Sequence, residues 1–187
     1  GDYACDELVV ATGAWAGLPL PGLAAPPHIR PVRGQMLQFE LAPVEQNPGA
    51  LDRVLYRAGL YLVPRRGGLI LVGSTLEDAG FDKTPDAATA ARLHAAAAEL
   101  LPALADATPI RQWAGLRPGS PDNLPLIDRH PELANVHFNV GHFRYGVTMA
   151  PAAAAHLADL IEGRRPALDP APYSWDALVA RRNAVLG

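Results

Sequence analysis

Followed for its apolar and polar positions, the chain opens with a short continuous apolar run at 8–12, Leu-Val-Val-Ala-Thr, closed by Gly13. Such a run predicts a strand buried on both faces, as in a parallel α/β sheet. Residues 17–28 are dense in Pro and Gly and predict a loop. From 33 to 41, Met36, Gln38 and Glu40 alternate with Leu37, Phe39 and Leu41, the period of a half-buried strand. A β segment follows at 54–57. Segments 61–65 and 69–72 then flank Arg66-Gly67-Gly68, where adjacent glycines permit the positive φ angles of a tight hairpin turn. Pro64 has no N–H to give a ladder, which predicts an edge or a bulge there.

The period then lengthens. Thr84-Pro85-Asp86 offers a polar cap and a first-turn Pro, and Ala90, Leu93, Ala97, Leu100 and Leu101 keep helical spacing to about residue 104. Strands are predicted at 110–116 and, short and buried, at 136–140, where Gly141 ends the run. A turn at 141–146 leads into a second helix with Val147, Ala150, Ala154, Leu157 and Ile161 as its buried stripe and Gly163 as its stop. The tail from 164 is Pro-rich, then weakly helical from Trp175. No internal repeat is visible. This order predicts a mixed α+β and α/β fold, with a β-rich domain inserted between two segments of an α/β domain. The α/β part takes 1–30 and 136–163, the β-rich domain 31–135, and the tail 164–187. Only seven residues precede the first strand and the chain starts without Met. The expectation is a sheet completed by downstream strands or by a segment outside this sequence.

Composition narrows the function classes. The chain has 187 residues, 49% hydrophobic and 19% charged, with a formal net charge of −3, enough for a soluble globular core. Its 16 basic residues include a single lysine, Lys83, and the arginines are dispersed, which argues against a nucleic-acid binder. One cysteine, Cys5, excludes a disulfide scaffold and Cys-based metal sites, and reads as an ordinary buried small side chain. No apolar run approaches the ~18 residues of a membrane span, and the start is neither signal nor transit peptide, so a cytoplasmic location is expected.

Three places carry candidate chemistry. At 140–146 a buried strand enters a glycine-flanked turn and then a helix, a geometry that leaves N–H groups free to meet negative charge; an ordinary βα turn has the same spacing, and His142 has no obvious nucleophile beside it. Arg117, between glycines at a strand end, presents a fork suited to a carboxylate, or pairs structurally with Asp122 or Asp128. Tyr61 either packs on its sheet or aims a hydroxyl at a ligand. The G-x-S-x-G, H-E-x-x-H, P-loop and G-x-G-x-x-G patterns are absent.

In register, 6–15 (DELVVATGAW), 30–35 (RPVRGQ), 61–65 (YLVPR), 72–75 (VGST), 113–119 (WAGLRPG) and 141–146 (GHFRYG) resemble the glycine oxidase and D-amino-acid oxidase family of FAD-dependent oxidoreductases, above all glycine oxidases of the thiamine-biosynthesis type. The resemblance covers the C-terminal half of such an enzyme, without the Rossmann-like unit that holds the ADP portion of FAD. It implies that Arg117 clamps the substrate carboxylate, that Tyr61 places its hydroxyl on the same group, and that Arg144 is a second substrate-proximal arginine. It also implies FAD contacts from Thr12 and Gly13, and from Gly141, His142, Phe143, Arg144, Tyr145, Gly146, Val147 and Thr148 around the pyrimidine side of the flavin. No metal is implied. Tyr145, often Asn in glycine oxidases, and Leu76, Met in some, depart from the pattern and leave the substrate open.

The implied reaction takes hydride from the α-carbon of glycine, sarcosine or a D-amino acid to flavin. The imine then hydrolyses to an oxo acid and ammonia, and O₂ is reduced to H₂O₂. Two alternatives stand beside it. One is an FAD-dependent amino-acid dehydrogenase that hands electrons to a quinone or partner protein. The other is a non-catalytic fragment or subunit lacking the ADP-binding half. The partners implied are a small amino acid and an N-terminal FAD-binding half, in the same or another chain. Without that half the isolated chain is expected to be inactive, and a homo-oligomer is left open.

Overall fold

The computed structural model describes residues 3–23, 26–42 and 51–186, so residues 24 and 25 of the expected loop lie outside the described residues. In chain order the strands are β1 (Leu8–Val10), β2 (Arg30–Glu40), β3 (Leu55–Arg57), β4 (Leu60–Pro64), β5 (Leu69–Gly73), β6 (Arg111–Gly119), β7 (Leu126–Arg129) and β8 (Val136–Val140). The helices are α1 (Ala87–Leu100), α2 (Gly146–Ile161) and α3 (Trp175–Leu186). Two compact units divide the chain. Unit 1 combines residues up to Val32 with those from Arg117 onward, and unit 2 is Arg33–Leu116. Residues 117–135, grouped with the β-rich domain on sequence, thus pack within unit 1.

Unit 2 is built on a sheet of order β3-β4-β5-β2-β6. The alternation along β2 comes out as read: Leu37 and Phe39 are fully buried while Glu40 is exposed. Their partners across β5 are Val72 and Ile70, so four core side chains meet in register. The hairpin is also as expected, with Gly67 at φ 72° and Gly68 at φ 79° in the turn. Pro64 ends β4 beyond the last residue that β3 reaches, since Leu55 pairs with Leu62, and no ladder N–H is needed there. Helix α1 starts at Ala87, because Asp86 Oδ1 accepts the Thr89 N–H at 2.8 Å. It buries Leu93 and Ala97 against Phe39 and Leu62 in one core. Leu101 breaks it, and Pro102–Leu104 continues as a 3₁₀ turn, so the α-helix is shorter than its apolar spacing suggested.

In unit 1, β8 lies between β1, to which it is parallel, and β7, to which it is antiparallel. The period of two splits β7 across the sheet. Leu126 joins Val10, Phe138, Val140 and Leu178 of α3 on one face, whereas Ile127 joins Ala153 and Leu157 of α2 on the other. Strand β7 was not foreseen; four residues following Pro125 carry too little pattern. Strand β1 corrects an expectation: only Val10 is buried, and Leu8 and Val9 are each 43% exposed. It pairs only with β8 among the described residues, so a continuous apolar run is not here a strand covered on both faces.

Two further readings change. Strand β2 begins at Arg30 and β6 runs on through Gly119, so Arg117 lies within a strand rather than after it. In α2 the buried residues are Ala153, His156 and Leu157, while Val147 is 94% exposed and Ala150 and Ala154 are exposed. The tail forms α3, where Ser174 Oγ accepts the Ala177 N–H at 3.2 Å and Leu178 is buried. Cys5 is exposed, not buried. No helix among the described residues is long and apolar enough to cross a membrane.

Candidate functional site

The end of β6 and the turn after β8 are tied together within unit 1. Phe143 N–H donates to Pro118 O at 3.0 Å, and Gly119 bridges to His142 in antiparallel fashion. The strand that carries Arg117 and the segment that carries His142, Phe143 and Arg144 are therefore fixed against each other by main chain. Glycine is demanded at the hinge of this arrangement. Gly141 has φ +82°, and a Cβ there would stand 2.8 Å from Ile29 Cδ1 and 3.4 Å from Ser120 Cβ.

The turn itself is unusual chemically. Phe143 holds φ 50°, a left-handed conformation uncommon for a bulky residue. The Arg144 guanidinium lies 5.6 Å from the centroid of the Phe143 ring, a cation–π contact at an exposed position. His142 is half-buried, its Nε2 has no hydrogen-bond partner, and burial pushes its pKa below the ordinary imidazole value. Burial thus favours the neutral ring. Helix α2 starts with Tyr145 at its cap, with no side-chain cap bond and no acid in its first turn. Its leading N–H groups are thus left for something else, and Tyr145 (58%) and Val147 lie exposed beside them. Thr148 is exposed one residue on.

Upstream in the same unit, Gly13 has φ 59° and opens the 3₁₀ turn Gly13–Trp15, where Thr12 O accepts the Trp15 N–H at 3.2 Å. Thr12 is exposed. Arg117 is half-buried. Unit 1 therefore contains every candidate residue except Tyr61.

Tyr61 is half-buried in unit 2, opposite Tyr56 on β3 and Gly73 on β5. Its hydroxyl donates to Met36 Sδ at 3.8 Å, and it crowds Gly73 so closely that a Cβ there would be 3.1 Å from the oxygen. Sequence reasoning had no signal for that thioether partner, because it arises from sheet order rather than spacing. It also passed over Gln35, whose amide is fully buried. Gln35 Nε2 donates to Asp86 Oδ2 at 2.7 Å and Glu77 Oε1 at 3.1 Å, and its Oε1 accepts the Asp86 N–H at 3.0 Å. Hydrogen bonding from Gln35 first, and from the Thr89 backbone next, holds the Asp86 carboxyl down to about 2. Burial alone would raise Glu77, but bonds from Thr75, Arg33 and Gln35 outweigh it and keep that carboxyl below its usual range.

Comparison with known proteins follows the same residues. Residues 1–160 match the family described as DAO, FAD dependent oxidoreductase. A glycine oxidase from Pseudomonas aeruginosa is 46% identical over 93% of this chain, which covers 46% of that protein. The crystal structure of glycine oxidase from Geobacillus kaustophilus superposes with a TM-score of 0.82 at 32% identity, over 92% of this chain and 45% of that one. The L-proline dehydrogenase from P. horikoshii superposes with a TM-score of 0.75 at 26% identity, over 90% of this chain and 46% of that one. The chain thus spans a little under half the length of each of these three relatives.

Proposed function

The chain belongs to the FAD-dependent oxidoreductase family, whose cofactor is FAD, and we propose that it supplies the substrate clamp and flavin-ring contacts of an enzyme that oxidises a small amino acid. The residues fit that cofactor on two counts. An uncapped helix start with unspent N–H groups suits the pyrimidine edge of a flavin, which gains negative charge on reduction. The partnerless Nε2 of His142 lies in the same turn. On this reading Gly141, His142, Phe143, Arg144, Tyr145, Gly146, Val147 and Thr148 hold that edge, and Thr12 and Gly13 meet the cofactor further along. The insertion of a β-rich substrate domain, now Arg33–Leu116, between segments of an FAD-binding domain is part of the same proposal. Bound FAD supplies the acceptor for hydride from the substrate α-carbon, with O₂ reduced to H₂O₂ as the cycle closes.

The chain's own residues bind and orient. Arg117 pairs its guanidinium with the substrate carboxylate, Arg144 adds a second positive charge, and Tyr61 donates its hydroxyl to the substrate. No general base is assigned, because a substrate amine bound neutral needs none. The observation that carries the reading is the main-chain tie between Pro118 and Phe143, which supports one site built from the Arg117 strand and the 141–146 turn. Glycine, sarcosine and D-amino acids are the substrates proposed. The test is Arg117→Ala in the FAD-loaded full-length protein. Loss of the clamp leaves a buried carboxylate unpaired and costs about 2–5 kcal/mol of substrate binding. Unchanged KM and kcat for all three substrate types would remove Arg117 from the site.

A dehydrogenase is the second reading, favoured by the fold shared with the P. horikoshii L-proline dehydrogenase. Oxygen consumption by the holoenzyme separates the two. An oxidase turns over with O₂ alone, and a dehydrogenase needs an added acceptor.

A further inference from the structure

Unit 1 contains a cavity of about 370 Å³ to which none of the proposed clamp residues contributes. It is assembled from three separate stretches of chain: the segment entering β2, the residues just after β6, and the last turns of α3. Pro27 and Ile29, both buried, give it an apolar wall. His28, Arg30 and Arg182 bring three basic side chains to it, and no acidic residue is among its lining. The Arg182 guanidinium acts directly on His28, whose pKa is pushed down by burial and then by that positive charge. The Arg182 cation and the His28 imidazole thus lie close enough to interact, with no carboxylate in the cavity's lining to neutralise the arginine.

A second observation is independent of these charges. Ser120 lines the same cavity, is only 3% exposed, and its Oγ has no hydrogen-bond partner. A buried hydroxyl is normally satisfied, and leaving it unpaired costs free energy. An oxygen acceptor on a ligand would satisfy it. The apolar wall fits a hydrophobic body, and the Arg–His–Ser set fits an oxyanion headgroup.

We propose that this cavity binds a small organic anion, an apolar ring or chain bearing a carboxylate or phosphate, with Arg182 and Ser120 holding its oxygens. None of Arg117, Arg144 and Tyr61 is among the cavity's lining residues, and the proposal stands whether or not the Arg117 clamp is correctly assigned. Phenyl phosphate and 3-phenylpropionate share the apolar body and differ in headgroup, so they distinguish the two anion types. Titrated calorimetrically into the FAD-loaded full-length protein, at least one of them binds saturably with one site per chain. Arg182→Gln weakens it by about tenfold or more, the scale of one charge-assisted contact. Ser120→Ala, which removes one oxygen without disturbing helix α3, weakens it by about threefold or more, a neutral hydrogen bond's share. Arg117→Ala leaves it unchanged. Absence of saturable binding by both probes overturns the proposal, as does binding that survives both Arg182→Gln and Ser120→Ala. Binding that disappears in Arg117→Ala, or that is seen only without FAD, assigns the anion to the amino-acid or flavin site and overturns it equally.

Discussion

Units 1 and 2 treat their buried polar groups in opposite ways. In unit 2, Gln35 is engaged at both ends of its amide, and Glu77 and Asp86 complete the network. No buried side-chain nitrogen or oxygen lacks a partner there among the described residues, whereas unit 1 leaves Ser120 Oγ, His130 Nε2, His137 Nδ1, Asn139 Oδ1, His142 Nε2 and both nitrogens of His156 without one. Even Arg181 Nε, 3.0 Å from Asp122 Oδ1, meets its acid without hydrogen-bond alignment. The difference sets a closed polar network against buried groups still open to a partner. A satisfied network fixes one conformation and serves as scaffold. Unpaired donors and acceptors cost stability until water, another segment or a ligand supplies the missing bond.

Breaking unit 2's network gives the largest effect. Gln35→Leu strips two carboxylates and the Asp86 N–H of partners in a buried place and lowers stability by about 2–4 kcal/mol, measured by urea unfolding. A change under 1 kcal/mol would erase the contrast between the units. Next comes backbone strain in unit 1. Gly141→Ala must hold φ +82° with its methyl against Ile29 Cδ1, which costs about 1–3 kcal/mol by the same measurement. FAD affinity should fall with it if the turn holds the flavin, and unaltered FAD affinity at reduced stability would detach the turn from the cofactor.

How much of this was legible in the sequence depended on how local each cause was. The Gly67-Gly68 hairpin and the Leu37/Phe39 face are set by neighbours in sequence and were readable, whereas the helix cap fell on Asp86, two residues beyond Thr84, and left Pro85 outside the helix. The face of α2 was not. Its sequence, GVTMAPAAAAHLADLI, is apolar on nearly every side, so periodicity could not choose Ala153 and Leu157 over Val147 and Ala154. His156 joined the buried side because its ring meets Tyr173 edge-on, 5.7 Å between centroids, and that partner lies beyond the helix. Arg117, Tyr61 and the 141–146 turn stood out as motifs, but the Phe143–Pro118 tie required the folded chain. The Ser120 cavity was illegible for the same reason, since three distant stretches build it.

Acid separates the units by a smaller, graded effect. Asp86 has its folded pKa depressed from 3.8 to about 2. Its contribution is therefore complete above pH 4 and is lost as pH falls through about 2. His142 is depressed from 6.5 by burial, so the unfolded chain binds its proton first, and stability falls as pH drops below 6.5 toward the folded value. Melting temperature followed against pH should lose part of its slope between pH 4 and 2 in Asp86→Asn, with Glu77 supplying some of the rest, and part of its slope just below pH 6.5 in His142→Gln, with His28 remaining. A slope unchanged by the matching substitution would place the whole titration in other groups.

The smallest effect tests the comparison most directly. His156 is 4% exposed, neither ring nitrogen has a partner, and its surroundings, Ile127, Met149, Ala153, Leu168 and Tyr173, offer mostly carbon. Replacing a satisfied polar group by an apolar one of similar shape strands its partners, but His156 has none to strand. His156→Leu removes the cost of two desolvated nitrogens and forfeits the ring contact with Tyr173, itself worth about 0.5–1.5 kcal/mol. These nearly cancel, so urea unfolding should move by less than about 1 kcal/mol, in either direction. Gln35→Leu, an equally buried polar-to-apolar change in unit 2, should cost several times more. If the two substitutions destabilise alike, partner satisfaction does not distinguish the units, and unit 1's unpaired atoms lose their meaning as places held open for a ligand.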